Sequence, residues 1–151
     1  MDVSDETTFR RDIDDNYKAH RDPSPEELSV QAERILACAA AMGVPVMTCP
    51  GFEADDIMAT VAERLRGRDV DVYLVSKDKD LEQLITERVR LYDAAKGTVI
   101  DADGLREAKG YEPRQAVEIQ TLVGDSTDNI PGVVGVGPKT AVKLIHQYGS
   151  A

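Results

Sequence analysis

The sequence predicts an α/β layer with a mainly parallel sheet, followed by a small helical subdomain. Short apolar stretches at Val44–Thr48 and Val70–Ser76 each lead into an acid-rich turn and then a segment of helical spacing. That alternation is expected of parallel strands joined by helices. From Asp103 onward the pattern becomes helical segments separated by turns. The 151 residues, 42% hydrophobic and 30% charged, suffice for one core with a small appendage.

Residues 1–22 are polar without an apolar period and read as a loop or mobile arch with at most a short helix. Ser24-Pro25-Glu26-Glu27 starts a helix, with Ser24 as N-cap, Pro25 at the first helical position and acids in the first turn. Leu28, Ala32, Ile35, Leu36, Ala39 and Met42 recur at helical spacing, and Gly43 ends the helix. Cys38 falls in this apolar pattern and is expected in the core. Val44–Thr48 reads as a buried strand, residues 53–66 as a second helix, Val70–Ser76 as a second strand and 80–85 as a short helix. Val89–Asp93 and Thr98–Asp101 flank Ala94-Ala95-Lys96-Gly97 as a hairpin or edge pair. Helices follow at 103–109, 113–123 and 138–148, with no strand among them. The expected division is an α/β core over 1–102 and a helical subdomain over 103–151.

Several function classes fall away. No apolar run approaches the roughly 20 residues a membrane helix needs. Acidic and polar residues follow Met1, unlike a secretory signal. Cys38, Cys49, His20 and His146 form no zinc-like set, so both cysteines are expected to be reduced in a cytosolic protein. Gly132 to Thr140 nearly spells a Walker A loop, but Pro138 separates Gly137 from Lys139 and no strand precedes it. A serine nucleophile elbow and a Cys–His pair are both missing.

The chemistry lies in three acid clusters: Glu53, Asp55 and Asp56 in GFEADD; Asp78 and Asp80 in SKDKD; Asp125 and Asp128 in GDSTDN. Each follows an apolar stretch or closes an apolar helix, which can bring all three to one edge of the fold. Gathered carboxylates repel, and divalent cations with oxygen ligands, Mg²⁺ or Mn²⁺, resolve that. Asp55, Asp78 and Asp125 are then expected within about 10 Å of one another, a span two bridged metals can cover. Each cluster has a simpler reading too. Acids at a helix start favour its dipole, and GDSTDN can be an Asx turn. Asp125 and Asp128 share a face if their segment is helical.

The third cluster runs into NIPGVVGVGPKTA, where Gly132, Gly135 and Gly137 permit unusual dihedrals and close backbone approach, and Pro138 suits a helix start. Such a turn can present N–H groups to phosphate. The net charge of −10 argues superficially against nucleic acid, but seven of the acids belong to the candidate metal site. Arg10, Arg11, Lys18, His20 and Arg21 crowd the N-terminal segment, with Phe9 and Tyr17 interleaved. That mixture suits single-stranded nucleic acid, and equally a solvated loop.

In order along nearly the whole chain, FRRDIDDNYKAHR, AAMGVPVMTCPGFEADDIMATVA, VSKDKDLEQLI and LVGDSTDNIPGVVGVGPKTAVKLI resemble the 5′ nuclease domain of bacterial DNA polymerase I and the related flap endonucleases. The resemblance implies a PIN-like core, a helix–three-turn–helix DNA-binding element and two-metal, Mg²⁺-dependent hydrolysis of DNA near a 5′ end or 5′ flap. It places Glu53, Asp55, Asp56, Asp78, Asp80, Asp125 and Asp128 on the family's metal-site acids. Asp2 is a further candidate, though one residue farther from Phe9 than the family spacing. Lys18 and Arg21 match the arch's basic residues that approach the scissile phosphate, the candidate catalytic cations. Arg10 and Tyr17 join them as DNA-binding candidates. Gly132, Gly135, Gly137, Lys139 and Thr140 match the element that grips duplex backbone, with K⁺ as its ion.

The resemblance also implies a monomer, cytoplasmic and associated with the nucleoid, belonging to a larger polymerase polypeptide. Lys77 stands where many members carry glycine. Nothing matches the family's first strand with its essential Asp, and members continue beyond the helix–three-turn–helix. The expectation is therefore a chain truncated at both ends, with weak or absent cleavage. A non-catalytic DNA-binding remnant and a PIN-type RNase are the competing readings.

Overall fold

A computed structural model describes residues 8–22 and 25–151. Asp2 and the expected cap Ser24 lie outside the described residues. Two compact units divide the chain, over residues 1–57 and 58–151.

In the first unit residues 8–22 are ordered by local contacts. Helix α1 (Arg10–Ile13) follows Phe9, whose amide donates to the Gly51 carbonyl at 3.0 Å and whose ring centroid lies 5.4 Å from that of Phe52. Those contacts pin the segment to the GFEADD turn. Helix α2 (Glu26–Ala41) has Pro25 as its N-cap rather than its first helical residue. The Pro25 carbonyl already accepts from Leu28 N at 3.0 Å, and an extended ψ of 143° sets it outside the helix.

Two expectations fail in this unit. Cys38 is exposed, as are Leu28 and Ile35 on the same helix and Met42 at its C-cap. Periodicity decides which side chains share a face, whereas burial needs a partner to cover that face. Val44–Thr48 is not a strand. Among the described residues the segment belongs to neither sheet, and Val44, Val46 and Met47 are exposed. A strand needs ladder geometry along its length, which an apolar run alone does not encode.

Helix α3 (Ala54–Leu65) opens with Asp55 and Asp56 in its first turn, where they favour the helix dipole. Asp56 Oδ2 also accepts from Glu53 N at 2.9 Å, satisfying one amide of the helix start.

The second unit holds a three-stranded sheet, β1 (Val72–Val75), β2 (Val89–Asp93) and β3 (Thr98–Ile100), in that order. β1 and β2 are parallel with Val72 opposite Val89; β2 and β3 are antiparallel with Leu91 opposite Ile100. A 3₁₀ turn (Lys79–Leu84) lies in the β1–β2 crossover. Helix α4 (Ala102–Lys109) is capped by Asp101, which accepts from Gly104 N at 2.9 Å, and ends on left-handed Gly110. Ala62, Leu74, Leu81, Ile85, Val89, Leu91 and Leu105 form the core between sheet and helices. Leu105 is 1% exposed, so Leu105→Ala is expected to cost about 2–5 kcal/mol, read by urea denaturation. Buried Glu82 accepts from Lys109 Nζ and from Tyr111 Oη at 2.6 Å, so the 3₁₀ turn is tied to the end of α4 by a fully partnered carboxylate.

Helix α5 (Ala116–Val123) and helix α6 (Pro138–Tyr148) pack through Ile119, Ala141 and Ile145 as a second apolar cluster. Between them lies what the sequence did not suggest, a two-residue ladder of β4 (Gly124–Asp125) with β5 (Ile130–Pro131). It forms because Gly124 and Gly132 let two backbones nearly touch. A Cβ on Gly132 would sit 2.1 Å from the Val123 carbonyl oxygen, and one on Gly124 would sit 2.3 Å from Gly132 N. Pro138 opens α6 at its first turn, as expected.

Candidate metal centre

Each unit carries its own share of the acids. In the first unit Glu53 is buried at the head of α3. Its Oε2 accepts from Tyr17 Oη at 3.1 Å and from Lys18 Nζ at 2.8 Å. Lys18 is itself buried and has φ +53°, a left-handed backbone that a β-carbon disfavours. Strain of that kind persists only where surrounding contacts hold it, here the Glu53 ion pair. Arg10 clamps Asp56 through two bonds of 2.7 and 2.8 Å, the bidentate form that gives a guanidinium pair its geometric specificity. The hydrogen bond to Arg10 holds the Asp56 carboxyl below its usual range, against the opposing effect of burial.

In the second unit Asp80, Asp125 and Asp128 each offer an oxygen atom, all within 4.8 Å of one another. Asp80 comes from the 3₁₀ turn, Asp125 from β4, and Asp128 from the turn joining β4 to β5. Asp125 and Asp128 meet because this segment folds back, not because they share a helix face. Asp125 Oδ1 accepts from Thr127 N at 2.8 Å, the Asx turn that was the simpler reading, and left-handed Asn129 (φ +62°) completes the reversal. The turn and the acid cluster are therefore the same structure.

The electrostatics fit a cation. Burial pushes the Asp80 carboxyl up, the hydrogen bond from Gln120 opposes this, and the charges of Asp78 and Asp125 add to the rise. Burial also acts to raise Asp125, but the Lys79 ammonium, 3.1 Å from Oδ2, and the Thr127 amide outweigh it and hold that carboxyl below its usual range. The donors are carboxylate oxygens without thiolate or imidazole, the set hard divalent ions prefer. In the first unit Glu53 Oε1 is buried without a hydrogen-bond partner among the described residues, whereas Oε2 accepts from Tyr17 and Lys18. A buried carboxylate oxygen lacking a donor suits a cation or an ordered water.

Asp78 does not join the three-acid group; exposed, it caps the 3₁₀ turn by accepting from Asp80 N at 2.9 Å. Asp55 lies half-buried in the first turn of α3. Tyr17 is 5% exposed with its hydroxyl on Glu53, so its ring is packed rather than offered for stacking. Arg21 is exposed. Gly132 makes the close approach, Gly135 has φ +82°, and Gly137 is extended with open space around it. Lys139 and Thr140 are exposed in the first turn of α6, where Thr140 N donates to the Gly137 carbonyl at 3.0 Å. Sequence reasoning missed Lys79 and Gln120, which contact the acids, and Gly124, which faces Gly132. Gly124 had a signal, a glycine at a helix end; a glutamine within an apolar helix had none.

Family models extend over the whole chain. Residues 1–110 match the N-terminal resolvase-like domain of 5′-3′ exonucleases, and residues 111–151 match their C-terminal SAM fold. The chain belongs to the 5′-3′ exonuclease family. This family member is 44% identical to the DNA polymerase I of Rhizobium leguminosarum over 94% of its own length and 14% of that protein. It is 38% identical to the 5′-3′ exonuclease of Aquifex aeolicus over 95% of its own length and half of that protein. Among solved structures, the bacteriophage T5 5′-exonuclease with divalent zinc bound matches with a TM-score of 0.80 at 25% identity, over 95% of this chain and 57% of that one. The T5 flap endonuclease in a pseudo-enzyme-product complex with DNA and metal ions matches with a TM-score of 0.81 at 24% identity, over 96% and 57%. This exonuclease family member thus spans half or less of the curated relatives named above. Among its described residues no helix is long and apolar enough to cross a membrane.

Proposed function

We propose that this chain is the metal-binding and DNA-gripping part of a 5′–3′ exodeoxyribonuclease that also cuts 5′ flaps. The observation that carries the reading is the gathering of Asp80, Asp125 and Asp128 by three separate elements. By the family resemblance, Glu53, Asp55, Asp56, Asp78, Asp80, Asp125 and Asp128 are assigned to two Mg²⁺ or Mn²⁺ ions and their waters. Asp2 is a candidate for the same role. Such ions supply an activated water and neutralise charge on the phosphate. The chain's own residues bind and orient. Lys18 and Arg21 engage the 5′ strand near the scissile phosphate, with Lys18 exchanging Glu53 for a phosphate oxygen. Arg10 and Tyr17 hold the carboxylates around that exchange. The Gly132–Gly137 turn, Lys139 and Thr140 grip duplex backbone at the start of α6, and K⁺ is the ion assigned to the turn. The protein acts as a monomer at the bacterial nucleoid, within a larger polymerase polypeptide.

Cleavage of a 5′-flap DNA in Mg²⁺, however slow, its loss in EDTA and an untouched single-stranded RNA are the expected results. Flap binding without cleavage in Mg²⁺ would support a non-catalytic DNA-binding remnant. Cleavage of the RNA instead would support a PIN-type RNase.

Binding divides between the two ends. Phosphates carry no sequence information, so affinity should be independent of base sequence and fall steeply with salt. Lys139→Ala is expected to weaken plain duplex and flap alike, roughly threefold to tenfold at low salt. Lys18→Ala with Arg21→Ala should spare duplex binding and weaken flap binding or cleavage. Fluorescence anisotropy on both DNAs decides this; equal losses on duplex for both variants would make the N-terminal segment part of a general basic surface.

A further inference from the structure

Gln120 lies half-buried on α5, one turn before Gly124. Its side-chain nitrogen donates to Asp80 Oδ1 at 2.5 Å and reaches Asp125 Oδ2 at 3.4 Å. One neutral NH₂ group therefore joins two acids brought together from a 3₁₀ turn and a strand. We propose that Gln120 is a positioning residue, which sets Asp80 and Asp125 at ligand spacing before a divalent cation arrives. The inference rests on reading these two acids as metal ligands.

The chemistry of the amide favours this role. Each carboxylate oxygen has about two lone pairs, and an amide N–H takes one without adding charge. Gln120 thus restrains two mutually repelling groups and leaves lone pairs open for a cation. Lys79 offers the contrast. Its ammonium, 3.1 Å from the same Asp125 Oδ2, brings a charge that competes with a metal ion. Thr127 N holds the other oxygen of Asp125 at 2.8 Å, so Gln120 and Thr127 together fix the plane of that carboxylate. Hydrogen bonds to ligating carboxylates orient them, and losing one typically costs ten- to a hundredfold in metal affinity.

The test is calorimetric titration of the whole chain with Mg²⁺ and with Ca²⁺, alongside metal-free melting. Mg²⁺ demands near-ideal octahedral geometry, whereas Ca²⁺ tolerates irregular ligand sets. Gln120→Met keeps length and helix propensity and removes the donor. It is expected to weaken Mg²⁺ binding about tenfold or more and Ca²⁺ binding by less than about threefold. A merely structural role would weaken both ions equally, and that result overturns the proposal. Unchanged Mg²⁺ affinity in Gln120→Met, with Asp125→Asn still losing it, also overturns the proposal and leaves the ligand assignment standing. No Mg²⁺ binding by the unaltered chain overturns both. Should Gln120→Met not fold, Gln120→Glu decides. Its added carboxylate should lower the metal-free melting temperature and restore it with Mg²⁺, and a loss that Mg²⁺ does not reverse counts against positioning.

Discussion

Gly132→Ala is expected to lower the melting temperature by on the order of 10 °C, the largest loss of any single methyl addition to the glycine turn. The new Cβ would lie 2.1 Å from the Val123 carbonyl oxygen and 2.3 Å from its carbon. Both are backbone atoms of α5 and cannot rotate away. Relief requires β4 and β5 to separate, which also undoes the turn carrying Asp125 and Asp128. Overpacking against a rigid neighbour costs about 3 kcal/mol or more, and each kcal/mol moves the midpoint of a chain this size by about 2–4 °C. Gly137→Ala is the control. Gly137 has φ −91°, and a methyl group placed there would meet nothing within 4 Å. Its change should stay under about 1 kcal/mol, the scale of an altered helix cap. Thermal melts followed by circular dichroism measure both, and similar shifts for the two variants would refute the packing argument.

Asp125→Asn is expected to abolish the stabilisation by Mg²⁺ and to remove whatever flap cleavage the unaltered chain shows, because a ligand would be lost from a site where metal would position and activate water. At a Mg²⁺ concentration about tenfold above Kd, binding to the native state alone should raise the melting temperature of the unaltered chain by about 4 °C. Asp80→Asn should differ in one informative way. Asp80 is an acid whose carboxyl is pushed up by burial and by its acidic neighbours, so its ionised form opposes folding at neutral pH. Its neutral amide should raise the metal-free melting temperature, on the order of 2 °C, while still losing the response to Mg²⁺.

The pH dependence follows the same signs. Protonating Asp80 removes its penalty as pH falls through its raised value. Asp125, held low mainly by Lys79 against burial, contributes stability present above the ordinary carboxylate value and lost as pH falls through its lowered one. Metal-free melts of both variants from neutral pH downward test this; identical curves would exclude the assigned environments.

Local signals in the sequence were dependable where a single segment decides its own structure. The helix 54–65, the hairpin of β2 and β3, Pro138 at the start of α6 and the acid clusters at element ends were all legible, because caps, periodicity and turn residues act within a few positions. The family motifs were legible for the same reason: they are contiguous. What failed depended on the rest of the fold. Val44–Thr48 has strand composition but belongs to neither sheet among the described residues, and Cys38 sits in an apolar helical pattern on a helix where Leu28, Val30 and Ile35 are exposed too.

The sequence by itself determined the family, the residue types of the candidate metal site and the order of most elements. Tertiary structure alone decided which acids meet and what restrains them. Asp125 and Asp128 are set by a backbone approach that two glycines permit, and Asp80 reaches them because the 3₁₀ turn packs on α5, neither of which any periodicity encodes. In this structure Lys18 and Tyr17 close over Glu53, because a buried carboxylate requires donors and the chain fold brings these two within reach. Gln120 carries no signal along the chain and becomes significant only between two carboxylates, since hydrogen bonding depends on distance in space rather than in sequence.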